Sequence, residues 1–205
     1  MSVQASQGWS HTSGIILRQQ NVTASLNVGQ RLELKALHAA AKTTIEYNPK
    51  RQPQACVMRL RTPPSTAILY PSGKMIVTGC LDTEDAQVRF RVLRHMEAAN
   101  KFVRMLSAIV STLVLKTSTV AIQNIVVACK LGFRLDLERL HYEHTQHASY
   151  EPELYPAVVF RLEQPKVVFM MFAEGRVVMT GAKTVLVMQR AFDVMYPLLA
   201  EYRKA

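Results

Sequence analysis

One stretch of this chain occurs twice at a nearly constant offset. Asn21 pairs with Asn124 and Gly29 with Gly132, both 103 residues apart, and Arg31-Leu-Glu-Leu34 recurs as Arg134-Leu-Asp-Leu137. Arg59 matches Arg161, Tyr70 matches Phe172, Lys74 matches Arg176, and Thr78-Gly79 matches Thr180-Gly181, all 102 apart. Two copies of one unit in 205 residues imply a pseudo-twofold molecule. The period is far longer than that of solenoid repeats, and two copies do not make an array. A pseudo-twofold molecule suits a pseudo-twofold ligand, and duplex nucleic acid is the commonest of those.

The charge balance agrees with such a partner. Lys and Arg number 25 against 15 Asp and Glu, a formal net charge of +10. That favours a polyanion, although a basic protein with no acidic partner has the same composition. The three cysteines, Cys56, Cys80 and Cys129, lie far apart with no C-x-x-C pair, so neither a zinc site nor a disulfide framework is expected. No run of 18 apolar residues is present, so no membrane partner is expected.

Each repeat has the same coarse layout. A strand (Asn21–Val28, Asn124–Lys130) leads through a glycine to a helix at the Arg-Leu-acid-Leu string. Strands with tight turns at Pro71-Ser72-Gly73 and Ala173-Glu174-Gly175 follow. A longer helix closes each copy, from Glu84 to about Leu106 and from Lys183 to about Tyr202, with apolar residues at helical spacing. Residues 1–14 read as a flexible tail and 15–205 as one core, with repeats at 15–112 and 118–205. The stretch Ala108–Val120 is longer than a minimal connection needs.

The strands carry the functional signal. An antiparallel sheet covered on one side should alternate apolar and polar residues. Val167-Val-Phe-Met-Met-Phe172 is apolar at six consecutive positions, and Ala67-Ile-Leu-Tyr70 and Arg176-Val-Val-Met179 alternate little. Two helices per repeat suffice to cover one face, which leaves the other apolar and open, a mark of an interaction surface. Helices on both sides, two stacked sheets, or a dimer interface would give the same pattern. Arg59, Arg61 and Lys74 flank the first set of strands, and Arg161, Lys166, Arg176 and Lys183 the second. An apolar sheet rimmed by cations suits the minor groove, where the floor offers few distinguishing hydrogen-bond groups and the phosphates lie on either side.

The chain resembles the conserved saddle domain of the TATA-binding protein, from about Ile15 to Lys204. The strings that carry the resemblance are Glu46-Tyr-Asn-Pro-Lys-Arg51, Ser72-Gly-Lys-Met75 with Thr78-Gly79, Ile122-Gln-Asn124, Ser149-Tyr-Glu-Pro-Glu-Leu154 and Thr180-Gly-Ala-Lys183. The resemblance implies an α+β fold: a two-repeat saddle of curved ten-stranded antiparallel sheet with four helices on the convex face. It implies a general transcription initiation factor, nuclear, without enzyme activity or cofactor, that binds promoter DNA in the minor groove and nucleates preinitiation complex assembly. Asn21 and Asn124 match the paired asparagines that hydrogen-bond base acceptors. Val126, Ile68, Met170, Ile76, Val178, Thr78 and Thr180 match groove-floor positions, with Thr23 where the family has a valine. Arg59, Lys74, Arg161, Arg176 and Lys183 match phosphate contacts. Glu151, Glu153 and Leu154 match the stirrup that contacts transcription factor IIB, and the loop near Arg51–Gln54 matches the one that faces transcription factor IIA.

Where the chain departs from the family pattern, the kinking residues are affected. Of four wedge phenylalanines Phe172 keeps one, Tyr70 and Tyr155 replace two, and the fourth falls at Gln52 or Pro53. Leu81 stands where its repeat partner Lys183 keeps a lysine. These departures resemble a divergent TATA-binding-protein-related factor, of the kind some protists carry, with weaker TATA selectivity. Small-nuclear-RNA-promoter complexes and RNA polymerase III factors join the expected partners, and self-association off DNA is expected of the apolar face. An alternative is a transcription-complex scaffold that keeps the fold and acts mainly through protein partners. His141, His144 and His147 with Glu143 have spacing that could hold a metal, but they lie at a helix end with no cysteine nearby, and no metal site is assigned. Basic positions on the first long helix (Arg89, Arg91, Arg94, Lys101, Arg104) fit partner contacts or a solvated helix face.

Overall fold

The computed structural model describes residues 8–50, 54–79, 88–109 and 120–204, with residues 88–95 traced by backbone only. Gln52, Pro53, Leu81 and most of the 108–120 stretch lie outside the described residues, as do the side chains of Arg89, Arg91 and Arg94. The chain divides into two compact units. One is Asn21–Gln123, here the N-repeat unit. The other joins residues up to Gln20 with Asn124–Ala205, here the C-repeat unit.

In the N-repeat unit, strand β2 (Ile16–Asn27, of which Asn21 onward belongs here) leads to α1 (Leu34–Ala40). Strands β3 (Ile45–Glu46), β4 (Cys56–Arg61), β5 (Pro64–Leu69) and β6 (Lys74–Thr78) follow, then α2 (Val88–Ile109). The antiparallel order is β3-β4-β5-β6-β2. Although the residues alternate poorly in polarity, they alternate cleanly in burial. Cys56, Met58, Ala67, Leu69, Met75 and Val77 point into a core completed by Leu34 and Leu37 of α1 and Ala98, Ala99, Phe102 and Leu106 of α2. Their neighbours Val57, Thr66, Ile68, Ile76 and Thr78 lie half-buried on the opposite face, because successive strand side chains point to opposite sides. The helices therefore cover one face only. Met96, although it fits the helical spacing, lies on the outer side of α2, at 37 % exposure.

The C-repeat unit repeats this plan. Strand β7 (Ala121–Lys130) precedes a short β8 (Arg134–Leu135) and α3 (Leu137–Glu143). Then come β9 (Ala148–Glu151), β10 (Tyr155–Leu162), β11 (Val167–Phe172), β12 (Arg176–Ala182) and α4 (Val185–Glu201). The order is β7-β12-β11-β10-β9, five strands as in the first unit, and β13 (Arg203–Lys204) pairs β8. Asp136 caps α3 by accepting from the Arg139 amide at 3.2 Å, and Thr184 caps α4 by accepting from the Val187 amide at 3.3 Å. Met188, Phe192, Met195 and Leu199 of α4 face the core, as their spacing predicts. Repeat symmetry reaches single hydrogen bonds: His38 Nδ1 meets the Ile45 carbonyl at 2.6 Å, and His141 Nδ1 meets that of Ala148 at 3.2 Å.

Two sequence expectations change. Residues 9–14 are not a loose tail. Trp9–Ser10 form strand β1, paired with Leu17 and Ile16, and His11 sits against α4, 3.3 Å from Asp193 and edge-on to Phe192. This hairpin is why residues up to Gln20 associate with the C-repeat unit, so the units do not divide at 112–118 as the repeats suggest.

Candidate nucleic-acid interface

On the helix-free face of each unit, an asparagine is held by a Thr-Gly pair from the neighbouring strand region. In the N-repeat unit Asn21 Oδ1 accepts from Thr78 Oγ1 at 3.1 Å and from the Gly79 amide at 3.3 Å. In the C-repeat unit Asn124 Oδ1 accepts from the Gly181 amide at 2.9 Å and from Thr180 Oγ1 at 3.2 Å, and Asn124 Nδ2 lies 2.8 Å from that hydroxyl. A backbone N–H can only donate, so Gly79 and Gly181 fix which end of each amide is oxygen. One N–H of the Asn124 amide is directed at the Thr180 hydroxyl, while the Asn21 NH₂ group has no such contact with Thr78. In the C-repeat unit a register shift between Met179 and Ala182 lets Gly181, at φ +109°, turn its amide toward Asn124.

Around each asparagine lies an apolar floor. In the N-repeat unit the cross-strand row Ser25, Ile76, Ile68 and Val57 shares one face, next to a row of Thr23, Thr78, Thr66 and Arg59. In the C-repeat unit Ala128, Val178, Met170 and Val159 form the matching row, with Thr180, Val168 and Arg161 beside it. Val126 is half-buried on this face as well. The assigned floor residues are thus brought together within each unit.

The cations stand at the borders. Lys74, Arg161 and Lys183 are exposed, with no carboxylate partner among the described residues. Arg59 differs: its guanidinium is paired with Glu46, with both side chains more than half exposed. A phosphate would have to compete with that carboxylate.

The residues expected to act as wedges are arranged unequally. Phe172 lies two positions beyond Met170 on the open face yet is only 7 % exposed. Arg176 stacks over its ring at 3.8 Å and Tyr155 meets its edge at 5.8 Å between centroids. Tyr155 itself is 44 % exposed, with its hydroxyl 3.9 Å from Met170 Sδ. Tyr70 is half-buried at the β5–β6 turn. Glu151, Glu153 and Leu154 project from the β9–β10 turn, closed by the Leu154 amide to the Glu151 carbonyl at 3.0 Å, and Leu154 is 80 % exposed.

The histidine cluster is engaged in structural contacts. His141 bonds to the Ala148 carbonyl, His144 Nε2 lies 3.0 Å from the Tyr202 hydroxyl, and that hydroxyl donates to Glu143. The bond from Tyr202 and a second from Arg139 hold the Glu143 carboxyl below the usual range, while burial and Glu143 push Tyr202 up to about 12. Burial likewise pushes the Cys56 thiol up to about 11 and Cys129 up to about 12, so both stay protonated and unreactive near neutral pH.

Residues 17–109 and 119–202 match the family described as "Transcription factor TFIID (or TATA-binding protein, TBP)". The chain belongs to the TATA-binding protein family. It is 41 % identical over 194 residues to the TATA-box-binding protein of Acetabularia peniculus, covering 95 % of both chains. It is 41 % identical over 197 residues to that of Saccharomyces cerevisiae, covering 95 % of this chain and 76 % of the yeast protein. The TATA-binding protein of Methanococcus jannaschii superposes with a TM-score of 0.69 at 28 % identity, over 90 % of this chain and 98 % of that one. The α+β class, with a large antiparallel sheet, four helices among the described residues and two repeats, is that of the family. Members of this family are transcription factors, not enzymes.

Two residues of the open face escaped the sequence reading. Arg18, on the part of β2 before Asn21, and Lys130, at the end of β7, stand beside Arg176. Their signal was the exposed alternation Ile16, Arg18, Gln20, hidden because the burial phase of β2 slips at Gln20–Asn21.

Proposed function

We propose that this protein is a general transcription initiation factor that binds double-stranded promoter DNA in the minor groove and nucleates a preinitiation complex in the nucleus. The single observation that carries the reading is the pair of oriented amides. With each Oδ1 committed to a Gly N–H, the NH₂ group of Asn21 and the second N–H of Asn124, the first being directed at Thr180, are presented as donors. The minor groove of A·T pairs offers only acceptors, adenine N3 and thymine O2. The floor of Ile68, Ile76, Met170, Val178, Val126, Thr23, Thr78 and Thr180 fits an edge with few other polar groups. Lys74, Arg161, Arg176 and Lys183 reach for phosphates, and Arg59 does so after leaving Glu46. Phe172 with Tyr155, and Tyr70 in the other repeat, are the wedges that would unstack base steps.

Kinking and TATA selectivity are weaker here than in relatives with four phenylalanines. A tyrosine wedge must keep its hydroxyl wet or partnered, and Phe172 starts out covered. The exposed Leu154 between Glu151 and Glu153 is the docking point for a IIB-like factor, and a IIA-like factor faces the loop near Arg51–Gln54. Small-nuclear-RNA-promoter and RNA polymerase III assemblies are further candidate partners. The covering of Phe172 favours a second reading, a scaffold that holds protein partners without bending DNA.

Energy transfer between end labels on a duplex carrying TATAAA separates the two. Minor-groove insertion gives salt-sensitive binding and a bend that Phe172→Ala abolishes. Weak binding indifferent to TATA, with no bend, establishes the scaffold.

A further inference from the structure

A groove of about 780 Å³ opens on the C-repeat unit, and three cations line it: Arg18, Lys130 and Arg176. Arg176 and Lys130 are direct cross-strand partners in the β12–β7 register, and Arg18 comes from β2. No carboxylate lines the groove. Among the described residues Arg18 and Lys130 have no acidic partner. Arg176 Nε has Glu174 at 3.5 Å, with both side chains about half exposed or more.

Like charges directly opposite each other across a strand pair are destabilising. Here such a pair is joined by a third cation, and only one of the three has a counter-charge. Within the unit Glu174 and the Phe172 ring engage Arg176 alone, which leaves the charges of Arg18 and Lys130 for an anion to offset. The groove is also continuous with the proposed interface, since its wall includes Ala128 and Val178 from the apolar row. A headgroup or free phosphate would not need that continuity, whereas a duplex lying on the row brings its backbone to the border.

We propose that Arg18, Lys130 and Arg176 form a binding site for adjacent backbone phosphates of bound duplex DNA. The site rests on the minor-groove reading and adds to it two residues outside the set of phosphate contacts that the family resemblance supplies. Because it touches backbone and not bases, it strengthens binding without sequence preference.

The test is duplex affinity by fluorescence anisotropy from about 50 to 200 mM salt, with the full chain. Removing a cation that neutralises one phosphate reduces the steepness of log K against log salt by about 0.9. Arg18→Ala and Lys130→Ala each reduce the slope by about that amount and weaken TATA and non-TATA duplexes by the same factor, while Arg18→Lys keeps the wild-type slope. Wild-type slopes in both alanine variants, beside a reduced slope in Lys74→Ala, would overturn the site and leave the minor-groove reading standing. Salt-indifferent duplex binding by the wild type would overturn both. Melting temperatures at or above that of the wild type confirm that the variants fold.

Discussion

The Arg176 guanidinium lies 3.8 Å from the centre of the Phe172 ring and shields the one phenylalanine at a position that the family resemblance implies is a wedge. A cation over an aromatic face contributes about 0.5–1 kcal/mol at an exposed site. That is small beside phosphate contacts, so bound DNA can draw the cation away and free the ring. In a Trp9→Phe, Phe172→Trp reporter chain, iodide should quench the indole weakly. Adding Arg176→Ala, or saturating with duplex followed by a shift in emission, should change its accessibility. An indole equally quenched with and without Arg176 would show that the cover has no effect.

The Asn124–Thr180–Gly181 arrangement makes a graded prediction. Asn124→Ala removes the donor itself and should weaken A·T-rich duplex binding by about 1–3 kcal/mol, roughly five- to 160-fold. Thr180→Val leaves the donor but removes one of the two groups that orient it, for a smaller loss of about 0.5–1.5 kcal/mol. Anisotropy titrations with matched duplexes check the order. Equal losses would mean that the hydroxyl contacts DNA directly.

Gly175 is required by space as well as by conformation. It sits at φ +84°, and a Cβ there would lie 1.9 Å from the Phe133 carbonyl oxygen. Gly132, at φ +82°, has nothing within 4 Å of the same point. Gly175→Ala should therefore cost more than about 2 kcal/mol, and Gly132→Ala about 1 kcal/mol from the backbone alone. Chemical denaturation of the two variants measures the difference, and similar midpoints would contradict it.

Glu143 and Tyr202 give stability opposite dependences at the two ends of the pH scale. The depressed carboxyl of Glu143 contributes stability above the usual glutamate range, lost as pH falls through its folded value. The raised phenol of Tyr202 contributes stability below about pH 10, lost as pH rises towards about 12. Glu143→Gln should flatten the acid limb of a melting-temperature profile and Tyr202→Phe the alkaline limb. Unchanged limbs would show that the pair is not coupled to folding.

The repeat, the family strings, the helix faces and the recurrence of an asparagine and a Thr-Gly in each copy were legible in the sequence. Each is a local pattern or a recurrence, so residue order alone carries it. The open apolar face could be suspected from strands such as Val167–Phe172, but four arrangements shared that pattern. Packing against α1, α2, α3 and α4 decided which side is covered, because burial depends on neighbours distant in sequence. In the same way, the hydrogen bonds from each Thr-Gly to its asparagine, the cover on Phe172, the pairing of Arg59 with Glu46 and the seating of His11 on α4 arise from tertiary packing that no local pattern records. Arg18 belongs to one repeat by sequence and to the other unit by structure, since strand pairing and the β1–β2 hairpin, not chain order, determine what a residue touches.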